Sequence, residues 1–360
     1  MIEFKNVVKT YDNGTTAVDD LSFVAPTGKI TVLVGPSGCG KTTTLRMINR
    51  LHKQSSGSIL LGGEDTAKLD TIAMRRTIGY VIQNAGLFPH QTILDNVCAV
   101  PYLNKNDKRA SQERALDLLE IVGLDRGYAS RYPWQLSGGQ QQRVGVARAL
   151  AADPPYMLMD EPFSAVDPIV RKQLQSEFLR IQADLAKTIV MVTHDIDEAL
   201  KLGDQIVVLK EGGILAQVGT PAQLLANPAD RFVADFLGQS RGYHALNFRP
   251  LRDLEVEQTP QACVGEQLSN EWVVACTTDH RPLGWARAET GIQELREDRI
   301  RVASPLELGA SNYRELLDAA LASPCGQAIV VDARGTYVGT LSVDVVAQHV
   351  RDANGNEYHS

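Results

Sequence analysis

The segment that most constrains this chain runs from residue 35 to residue 42 and reads Gly-Pro-Ser-Gly-Cys-Gly-Lys-Thr. It fits the pattern G-x-x-x-x-G-K-[ST], the phosphate-binding loop. An apolar run at 30–34 precedes it and predicts a buried strand, and residues 43–48 read as the start of a helix. Glycines let successive backbone N–H groups turn toward a phosphate, and a helix N-terminus adds positive potential. The segment therefore predicts nucleotide binding on an α/β scaffold.

Within this loop, individual residue types indicate separate tasks. Lys41 can reach the β- and γ-phosphates of a nucleotide, and the Thr42 hydroxyl can ligate Mg²⁺. We expect the nucleotide contacts to come from the loop and the first helical residues, namely Gly35, Pro36, Ser37, Gly38, Cys39, Gly40, Lys41, Thr42 and Thr43.

Length, charge and cysteine usage limit the classes of protein that remain. A chain of 360 residues can form two domains, each with its own core. A net charge of −7 gives no reason to expect a nucleic-acid partner. No apolar run approaches the length of a membrane span, and the N-terminus has no apolar secretory segment. The five scattered cysteines include no C-x-x-C pair, which favours reduced thiols in a cytoplasm over disulfides or a zinc site.

Polar residues end three further runs that predict strands. Gln83 follows residues 78–82, Asp160 and Glu161 end the run from 156, and His194 follows residues 188–193. An acidic residue at such a strand end is the usual second Mg²⁺ anchor, and the next carboxylate can act as a general base. A glutamine that starts a loop, a strand turning into solvent and a structural histidine are the alternatives. Because ligands of open α/β sheets bind beyond the carboxyl ends of the strands, we expect these groups to share one edge.

Two helix starts and one tyrosine complete the candidate positions. Residues 136–140 read Leu-Ser-Gly-Gly-Gln and open a helix, either as a second anion-binding end or as a plain N-cap. Asp167 precedes Pro168 as an N-cap, and capping alone would explain it. Tyr11 can stack on a purine base or pack on its own sheet.

Along the chain these motifs follow one another as Tyr11, the phosphate-binding loop, Gln83, residues 136–140, Asp160-Glu161, Asp167 and His194. With the motifs in this order, residues 1–238 resemble the ATP-binding subunit of an ABC (ATP-binding cassette) transporter. The pentapeptide at 136–140 is the signature of that family. The resemblance implies a P-loop NTPase fold with an N-terminal antiparallel β subdomain and a helical signature subdomain, and ATP and Mg²⁺ as ligands. A helical insertion is expected between residues 86 and 135.

The resemblance also assigns roles to matching positions. It implies that Tyr11 stacks on adenine, that Gln83 contacts Mg²⁺ beside Thr42 and Asp160, and that Glu161 is the general base. It implies that His194 contacts the γ-phosphate.

The chain contains one phosphate-binding loop and one signature, so the resemblance implies a head-to-tail homodimer. The signature of one copy, Leu136, Ser137, Gly138, Gly139 and Gln140, would then grip the ATP of the other. Asp167 would lie on the loop that crosses the dimer interface, which reads Ser-Ala-Val-Asp from residue 164 where the family usually has Ser-Ala-Leu-Asp. The implied partners are two membrane-spanning permease subunits at the cytoplasmic face of the plasma membrane and, indirectly, a substrate-binding protein.

Within the family, residues 41–51, 78–83, 86–90 and 131–133 resemble the importers of osmoprotectants such as glycine betaine, carnitine and choline. An importer of polyamines, amino acids or ergothioneine remains an alternative, because the ATPase chain does not touch the substrate. A non-transport ABC ATPase would usually carry two cassettes or a long coiled-coil insertion, and a phosphate-loop kinase or GTPase would not need the signature.

After a helix expected over 222–237, residues 239–249 read as a linker and residues 351–360 as a disordered tail. Residues 250–350 hold a repeat at an offset of 55, in which 274–276 and 283–285 match 329–331 and 338–340. This α+β segment resembles a degenerate pair of CBS modules. Such modules often bind adenine nucleotides and end G-h-h-[ST]-x-x-D, whereas Asp344 here stands one position early. A nucleotide-binding regulatory domain and a ligand-free, dimer-stabilising domain therefore both remain open.

Overall fold

The computed structural model describes residues 1–83, 86–164, 166–252, 254–268, 271–288, 291 and 293–348. The chain divides into two compact units, Met1–Gly238 and Gln239–Ser360. Within the described ranges, no helix is long and apolar enough to cross a membrane. The tail predicted for residues 351–360 lies outside the described residues.

The described part of the first unit contains two sheets. Their strands are β1 (Ile2–Thr10), β2 (Thr16–Ala25), β3 (Ile30–Val34), β4 (Ser56–Leu61), β5 (Glu64–Asp65), β6 (Ile78–Val81), β7 (Tyr156–Asp160), β8 (Thr188–Val192), β9 (Gln205–Lys210) and β10 (Ile214–Gly219).

Helices surround these sheets and fill the expected insertion. They are α1 (Lys41–Ile48), α2 (Thr71–Arg76), α3 (Ile93–Leu103), α4 (Lys108–Ile121), α5 (Gly138–Leu150), α6 (Pro168–Leu185), α7 (Ile196–Leu202), α8 (Pro221–Ala226) and α9 (Arg231–Leu237). The insertion predicted between residues 86 and 135 contains α3 and α4.

The larger sheet has the strand order β10-β9-β3-β8-β7-β6. Only β10 runs antiparallel to its neighbour in this sheet, as far as the structure describes it. Every residue of β3 and β8 is buried, which explains their continuous apolar sequences. Val192 of β8 pairs with Leu33 of β3 on one side and with Asp160 of β7 on the other. The carboxyl ends of β3, β8 and β7 are therefore level.

The smaller sheet is antiparallel, with the order β2-β1-β4-β5, and confirms the predicted N-terminal β subdomain. It shares one core with the larger sheet, because Phe4 of β1, Leu45 of α1 and Leu158 of β7 belong to one buried cluster. The two sheets thus hold α1, and the loop before it, between them.

The single helix expected over 222–237 is wrong. The structure has α8 and α9 instead, separated by residues 227–230. Asn227 precedes Pro228 and leaves the helical region (φ −127°, ψ 72°), as residues before proline commonly do. Asp230 then caps α9 by accepting a hydrogen bond from Val233 N.

The described part of the second unit contains two short helices and nine strands. They are α10 (Arg241–Ala245), β11 (Gln261–Cys263), β12 (Gln267–Leu268), β13 (Val273–Cys276), β14 (Pro282–Ala286), β15 (Gln293–Glu294), β16 (Arg301–Val302), β17 (Leu306–Glu307), α11 (Tyr313–Ala322), β18 (Gln327–Val331) and β19 (Tyr337–Ser342). The sheets have the orders β11-β13-β14-β16, β12-β15 and β17-β18-β19.

The linker expected over 239–249 is wrong as well. Helix α10 occupies residues 241–245, and Leu246, only 5% exposed, packs in one core with Leu251 and Leu316. Burial of this leucine makes the segment part of the second unit, since removing an apolar side chain from water stabilises the packed state.

The repeat at an offset of 55 residues recurs in the strand register. Ala275 pairs with Gly284 in the hairpin of β13 and β14, and Val330 pairs with Gly339 in the hairpin of β18 and β19. In the second copy, α11 connects β17 to β18, whereas the described residues of the first connection hold β12 and no helix. The first copy is therefore the shorter one. The two hairpins share a core in which Trp285 packs with Ile329.

Leu316→Ala should unfold the second unit at lower temperature and leave the first unit unchanged. Leu316 is fully buried in the core of that unit, and truncating such a side chain costs about 2–5 kcal/mol. Calorimetry with limited proteolysis would follow the two units separately. Leu321→Ala, on the exposed face of the same helix (67% exposed), is the control and should have little effect. Parallel loss of stability in both units would contradict their independence.

Candidate active site

The loop between β3 and α1 has a backbone that only glycine accommodates at two positions. Gly35 has φ +153° and Gly40 has φ +90°. A Cβ atom at Gly35 would lie 2.3 Å from Leu209 O, and one at Gly40 would lie 2.1 Å from Ala17 O. Among the described residues, no side chain caps the N-terminus of α1, so its first N–H groups are available to a ligand. The loop is thus shaped to surround an anion.

Lys41 lies across this loop. Its Nζ donates to Gly35 O at 2.7 Å and to Pro36 O at 2.8 Å, and the residue is 7% exposed. The fully buried Cys39 thiol is 3.6 Å from the same Nζ, and burial raises the pKa of that thiol. The ammonium group is therefore held at the centre of the loop by weak carbonyl partners, which an anionic oxygen can replace.

Thr42 and Asp160 place two oxygen atoms side by side below the loop. Thr42 Oγ1 donates to Asp160 Oδ1 at 3.1 Å, and Arg46 Nη2 is 4.0 Å from Asp160 Oδ2. Burial raises the pKa of Asp160, while the Thr42 hydroxyl and the Arg46 guanidinium oppose that shift. A hydroxyl and a buried carboxylate are ligands that Mg²⁺ prefers, so this pair fits a divalent cation.

Glu161 follows Asp160 and is held on both of its carboxylate oxygens. His194 Nδ1 is 3.1 Å from Oε1, and Gln83 Nε2 donates to Oε2 at 2.9 Å. The backbone of Glu161 has φ +46°, a conformation that non-glycine residues rarely adopt. Its N–H donates to Val192 O, which anchors this turn to β8. The structure thus brings together three groups that are far apart in the sequence.

Tyr11 lies at the entrance of the loop. Its hydroxyl is 3.3 Å from Thr43 Oγ1, and Lys9 Nζ is 4.9 Å from the ring centroid. The His52 ring meets the Tyr11 ring edge-on at 6.0 Å. These contacts place an aromatic ring next to the start of α1.

The segment 136–140 starts α5 at a separate place in the unit. Ser137 caps the helix by accepting a hydrogen bond from Gln140 N, and Gln140 Oε1 accepts from Ser137 N in return. Leu136 is buried and anchors the turn. Next to it lies a cavity of about 410 Å³ whose lining residues include Ser137, Gly138, Gly139, Gln140 and Asp167.

This second cavity is distinct from the phosphate-binding loop. Among the described residues that line it, Lys41, Thr42 and Glu161 do not appear. Asp167 Oδ1 accepts hydrogen bonds from Ile169 N at 3.2 Å and from Val170 N at 3.1 Å, so this carboxylate caps α6. The phosphate-binding loop and the cavity beside Ser137 are therefore two separate sites within this unit.

The structure also shows polar residues that the sequence patterns did not reveal. Gln175 Nε2 donates to Glu198 Oε1 at 3.0 Å, and these residues are 5% and 6% exposed. Arg171 Nη1 is 3.7 Å from Asp195 Oδ2. In the sequence, the only sign of these contacts is that polar residues lie beside the apolar face of α6. Their partners belong to α7 and its N-cap, so the spacing of residues within α6 does not identify them.

The sequence is similar to those of known transport proteins. Residues 18–164 match the family model described as ABC transporter. The osmoprotectant import ATP-binding protein OsmV of Salmonella typhimurium is 43% identical over 97% of this chain and 96% of its own length. The choline transport ATP-binding protein OpuBA of Bacillus subtilis is 47% identical over 83% of this chain and 74% of its own length.

Solved structures resemble the first unit. The dimeric structure of MJ0796, a bacterial ABC transporter cassette, has a TM-score of 0.57 and 34% identity, and the match covers 61% of this chain and 99% of that one. A dimeric post-hydrolysis state of the same cassette, bound to ADP and Pi, has a TM-score of 0.56 at the same identity and coverage.

Glu198→Gln should stabilise the protein near neutral pH. Burial raises the pKa of Glu198 above 4.5, although hydrogen bonds from Thr193 and Gln175 oppose the shift. Between the unfolded and folded pKa values the folded state binds more protons, so wild-type stability falls as pH rises through that window. The amide does not titrate, so the variant should gain Tm relative to wild type at about pH 7.5 and not at about pH 4.

Thermal unfolding at the two pH values measures this difference. Glu64→Gln, at an exposed position, is the control and should show no such pH-dependent gain. A Glu198→Gln variant that is less stable than wild type near neutral pH would contradict the burial penalty.

Proposed function

The chain belongs to the ATP-binding proteins of ABC transporters, and from this premise we propose that it powers import of quaternary-amine osmoprotectants such as glycine betaine, carnitine or choline. It binds ATP and hydrolyses it to ADP and phosphate in an activity coupled to transport. The similarity to OsmV, an osmoprotectant import ATP-binding protein, and to OpuBA, a choline transport ATP-binding protein, supports this substrate class. Importers of polyamines, amino acids or ergothioneine remain the alternative for the substrate.

The arrangement around Glu161 is the observation that carries the proposal. Its carboxylate lies between His194 and Gln83, at the sheet edge from which the phosphate-binding loop begins. In the proposed mechanism the Glu161 carboxylate accepts a proton from the attacking water. Lys41 binds the β- and γ-phosphates, and His194 contacts the γ-phosphate.

Thr42, Asp160 and Gln83 would hold a Mg²⁺ ion, which neutralises phosphate charge when it is bound. The 3.1 Å contact between Thr42 and Asp160 supports this assignment. Tyr11 is proposed to stack on adenine, because its ring lies beside the first turn of α1. The remaining contacts would come from the loop residues Gly35, Pro36, Ser37, Gly38, Cys39, Gly40 and Thr43.

We propose that two chains together form each complete ATP site. The cavity beside Ser137 of one chain would cover the ATP bound by Lys41 of the other, and Asp167 would lie at the interface. The dimeric cassettes of MJ0796 support this arrangement. ATP binding would then close the dimer, and hydrolysis with product release would open it.

A groove of about 290 Å³ on the first unit is proposed to bind a cytoplasmic helix of a permease subunit. Apolar side chains, including Phe88 (44% exposed) and Leu103 (64% exposed), line it together with Arg76 and Arg148. Arg148 Nη1 donates to Gly86 O at 2.8 Å and so ties the groove to the segment that follows Gln83. A helix with an apolar face and one carboxylate fits this surface. Two such subunits would hold the homodimer at the cytoplasmic face of the membrane and receive substrate from a binding protein.

The second unit is proposed to be a degenerate pair of CBS-like modules over residues 250–350. Its matching hairpins support the pair, and an open groove of about 500 Å³ beside Trp285, Arg301 and Gln327 could admit a ligand. An adenine nucleotide and a purely dimer-stabilising role both remain proposals, which binding of labelled ATP or AMP to the full chain would separate.

Glu161→Gln should lower ATP turnover by a factor of about 10² to 10⁴. The amide has nearly the same shape but cannot accept the proton, so ATP binding should persist and the closed dimer should accumulate. Light scattering with ATP would detect that dimer. Glu211→Gln, at an exposed position, is the control and should turn over normally.

The same pair of variants tests the proposed function in cells that also contain the permease and binding protein. The control should accumulate labelled glycine betaine, and Glu161→Gln should not. Normal hydrolysis by Glu161→Gln would remove it from the mechanism. Accumulation of a labelled polyamine in place of glycine betaine would move the substrate to the alternative class.

Phe88→Asp should weaken permease binding by about 2 kcal/mol, because a charge would replace an apolar side chain in the groove. Co-purification with the permease measures binding, and ATP turnover of the isolated chain should stay normal. Ile214→Asp, which is 47% exposed on β10, is the matched control. Unchanged assembly and transport with Phe88→Asp would rule out this docking surface.

A further inference from the structure

Helices α6 and α7 connect two segments that have separate roles in the proposed mechanism. Helix α6 starts directly after Val166 and Asp167, on the loop proposed to meet the second chain. Helix α7 starts directly after Asp195, which follows His194. A change at either segment can therefore reach the other through the contacts between these helices.

The two helices are joined by a buried hydrogen bond. Gln175 Nε2 of α6 donates to Glu198 Oε1 of α7 at 3.0 Å, and each residue is less than 9% exposed. Lys201 of α7 also donates to Lys172 O of α6 at 3.3 Å. Breaking a buried pair leaves a polar group without a partner, so these helices are held together as one body.

Arg171 extends this connection to the loop itself. Its Nη2 donates to Val166 O at 3.0 Å, and its Nη1 is 3.7 Å from Asp195 Oδ2. The other oxygen of Asp195 caps α7, accepting from Asp197 N at 2.9 Å and from Glu198 N at 3.2 Å. One guanidinium thus joins a carbonyl of the interface loop to the residue that follows His194.

The third nitrogen of this guanidinium is unusual. Arg171 Nε is buried and has no hydrogen-bond partner within the part of the chain that the structure describes. A buried polar atom without a partner is costly, so the position of Arg171 is not explained by optimal local hydrogen bonding. The two nitrogen contacts that it does make are the ones that connect the two segments.

We propose that Arg171 is a positioning residue that transmits the seating of a second chain against Val166 and Asp167 to His194. A shift of Val166 would move the guanidinium, and with it Asp195 and the adjoining His194, whose ring contacts Glu161 at 3.1 Å. The planar guanidinium reaches Val166 O and Asp195 from two different nitrogens in a fixed geometry, whereas a lysine ammonium would have to reach both from one nitrogen. Hydrolysis would then start only when the second chain has closed. This inference rests on the roles proposed above for Glu161, His194 and the dimer.

Arg171→Met in the full chain should lower kcat for ATP by about 10- to 100-fold while KM stays near the wild-type value. A misplaced histidine slows the chemical step but leaves the nucleotide contacts intact. In the Glu161→Gln background, Arg171→Met should still form the ATP-dependent dimer, as light scattering would show. Arg180→Met, an exposed arginine on the same helix that pairs with Glu177, is the matched control and should keep normal kcat.

Arg171→Lys keeps the positive charge but removes the two-nitrogen contact with Val166 and Asp195. It also provides a second variant in case Arg171→Met folds poorly. Because its one nitrogen cannot occupy the positions of both Nη1 and Nη2, the lysine should recover only part of the lost kcat, with a Tm within about 4 °C of wild type. Full kcat in Arg171→Lys or in Arg171→Met would overturn the proposal. So would a kcat loss accompanied by an equal loss of ATP binding and dimer formation, which marks a general structural role. Normal turnover in Glu161→Gln would instead reject the function on which the inference rests.

Discussion

The parallel pairing of β3, β8 and β7 determines where every charged group of the site lies. Val192 pairs with Leu33 and with Asp160, so three strands end at the same level. The phosphate-binding loop, the Asp160-Glu161 pair and His194 each follow one of these ends. Because β3 and β8 are buried on both faces, a slip in register by one residue would move each side chain to the opposite face and disrupt its packing, so the packing of the sheet protects the geometry of the site.

Lys41 and Glu161 both have polar partners in the chain without nucleotide, and phosphate oxygens can replace those of Lys41. Lys41 is held by two loop carbonyls, and Glu161 is held by His194 and Gln83. Lys41 is buried, and an unpaired buried charge would be costly, so its carbonyl contacts avoid that cost in the free chain. Phosphate oxygens are stronger partners for Lys41 than neutral carbonyls are, so ATP binding exchanges weak contacts for strong ones. In the proposed reaction, His194 and Gln83 move from Glu161 to the γ-phosphate and to Mg²⁺, respectively.

The phosphate-binding loop and the cavity beside Ser137 are separate within one chain, and for this reason the proposed reaction involves two chains. The two sites are in one unit but do not share lining residues among those that the structure describes. In the proposed mechanism, binding of a second chain therefore has to be coupled to the position of the groups around Glu161. The buried Gln175–Glu198 bond and the contacts of Arg171 provide a physical connection for that coupling within each chain.

Local patterns were sufficient for several features of the fold. The glycine loop, the buried strands and the N-caps at Ser137 and Asp167 depend on short stretches of sequence, because backbone conformation and capping are decided within a few residues. The repeat at an offset of 55 is likewise visible in the sequence, and in the structure it corresponds to two hairpins with the same register. The same local reasoning missed the break at Asn227-Pro228, although the proline that causes it is visible in the sequence. The assignments of Tyr11, Gln83, Glu161 and His194 came from the order of motifs along the chain and remain proposals.

Other features depend on contacts between distant residues, and only the tertiary structure decided them. Residues 239–249 have a linker-like composition, yet Leu246 is buried against Leu251 and Leu316. Glu161 meets Gln83 and His194 because β6, β7 and β8, which these residues follow, are neighbours in the sheet. Arg171 meets Asp195 because α6 and α7 pack together. Sequence by itself determined which residues can bind phosphate, cap a helix or fill a core, since these are properties of a residue and its neighbours. The packing of strands and helices determined which of those residues meet, since a contact requires both partners to be placed by the whole fold.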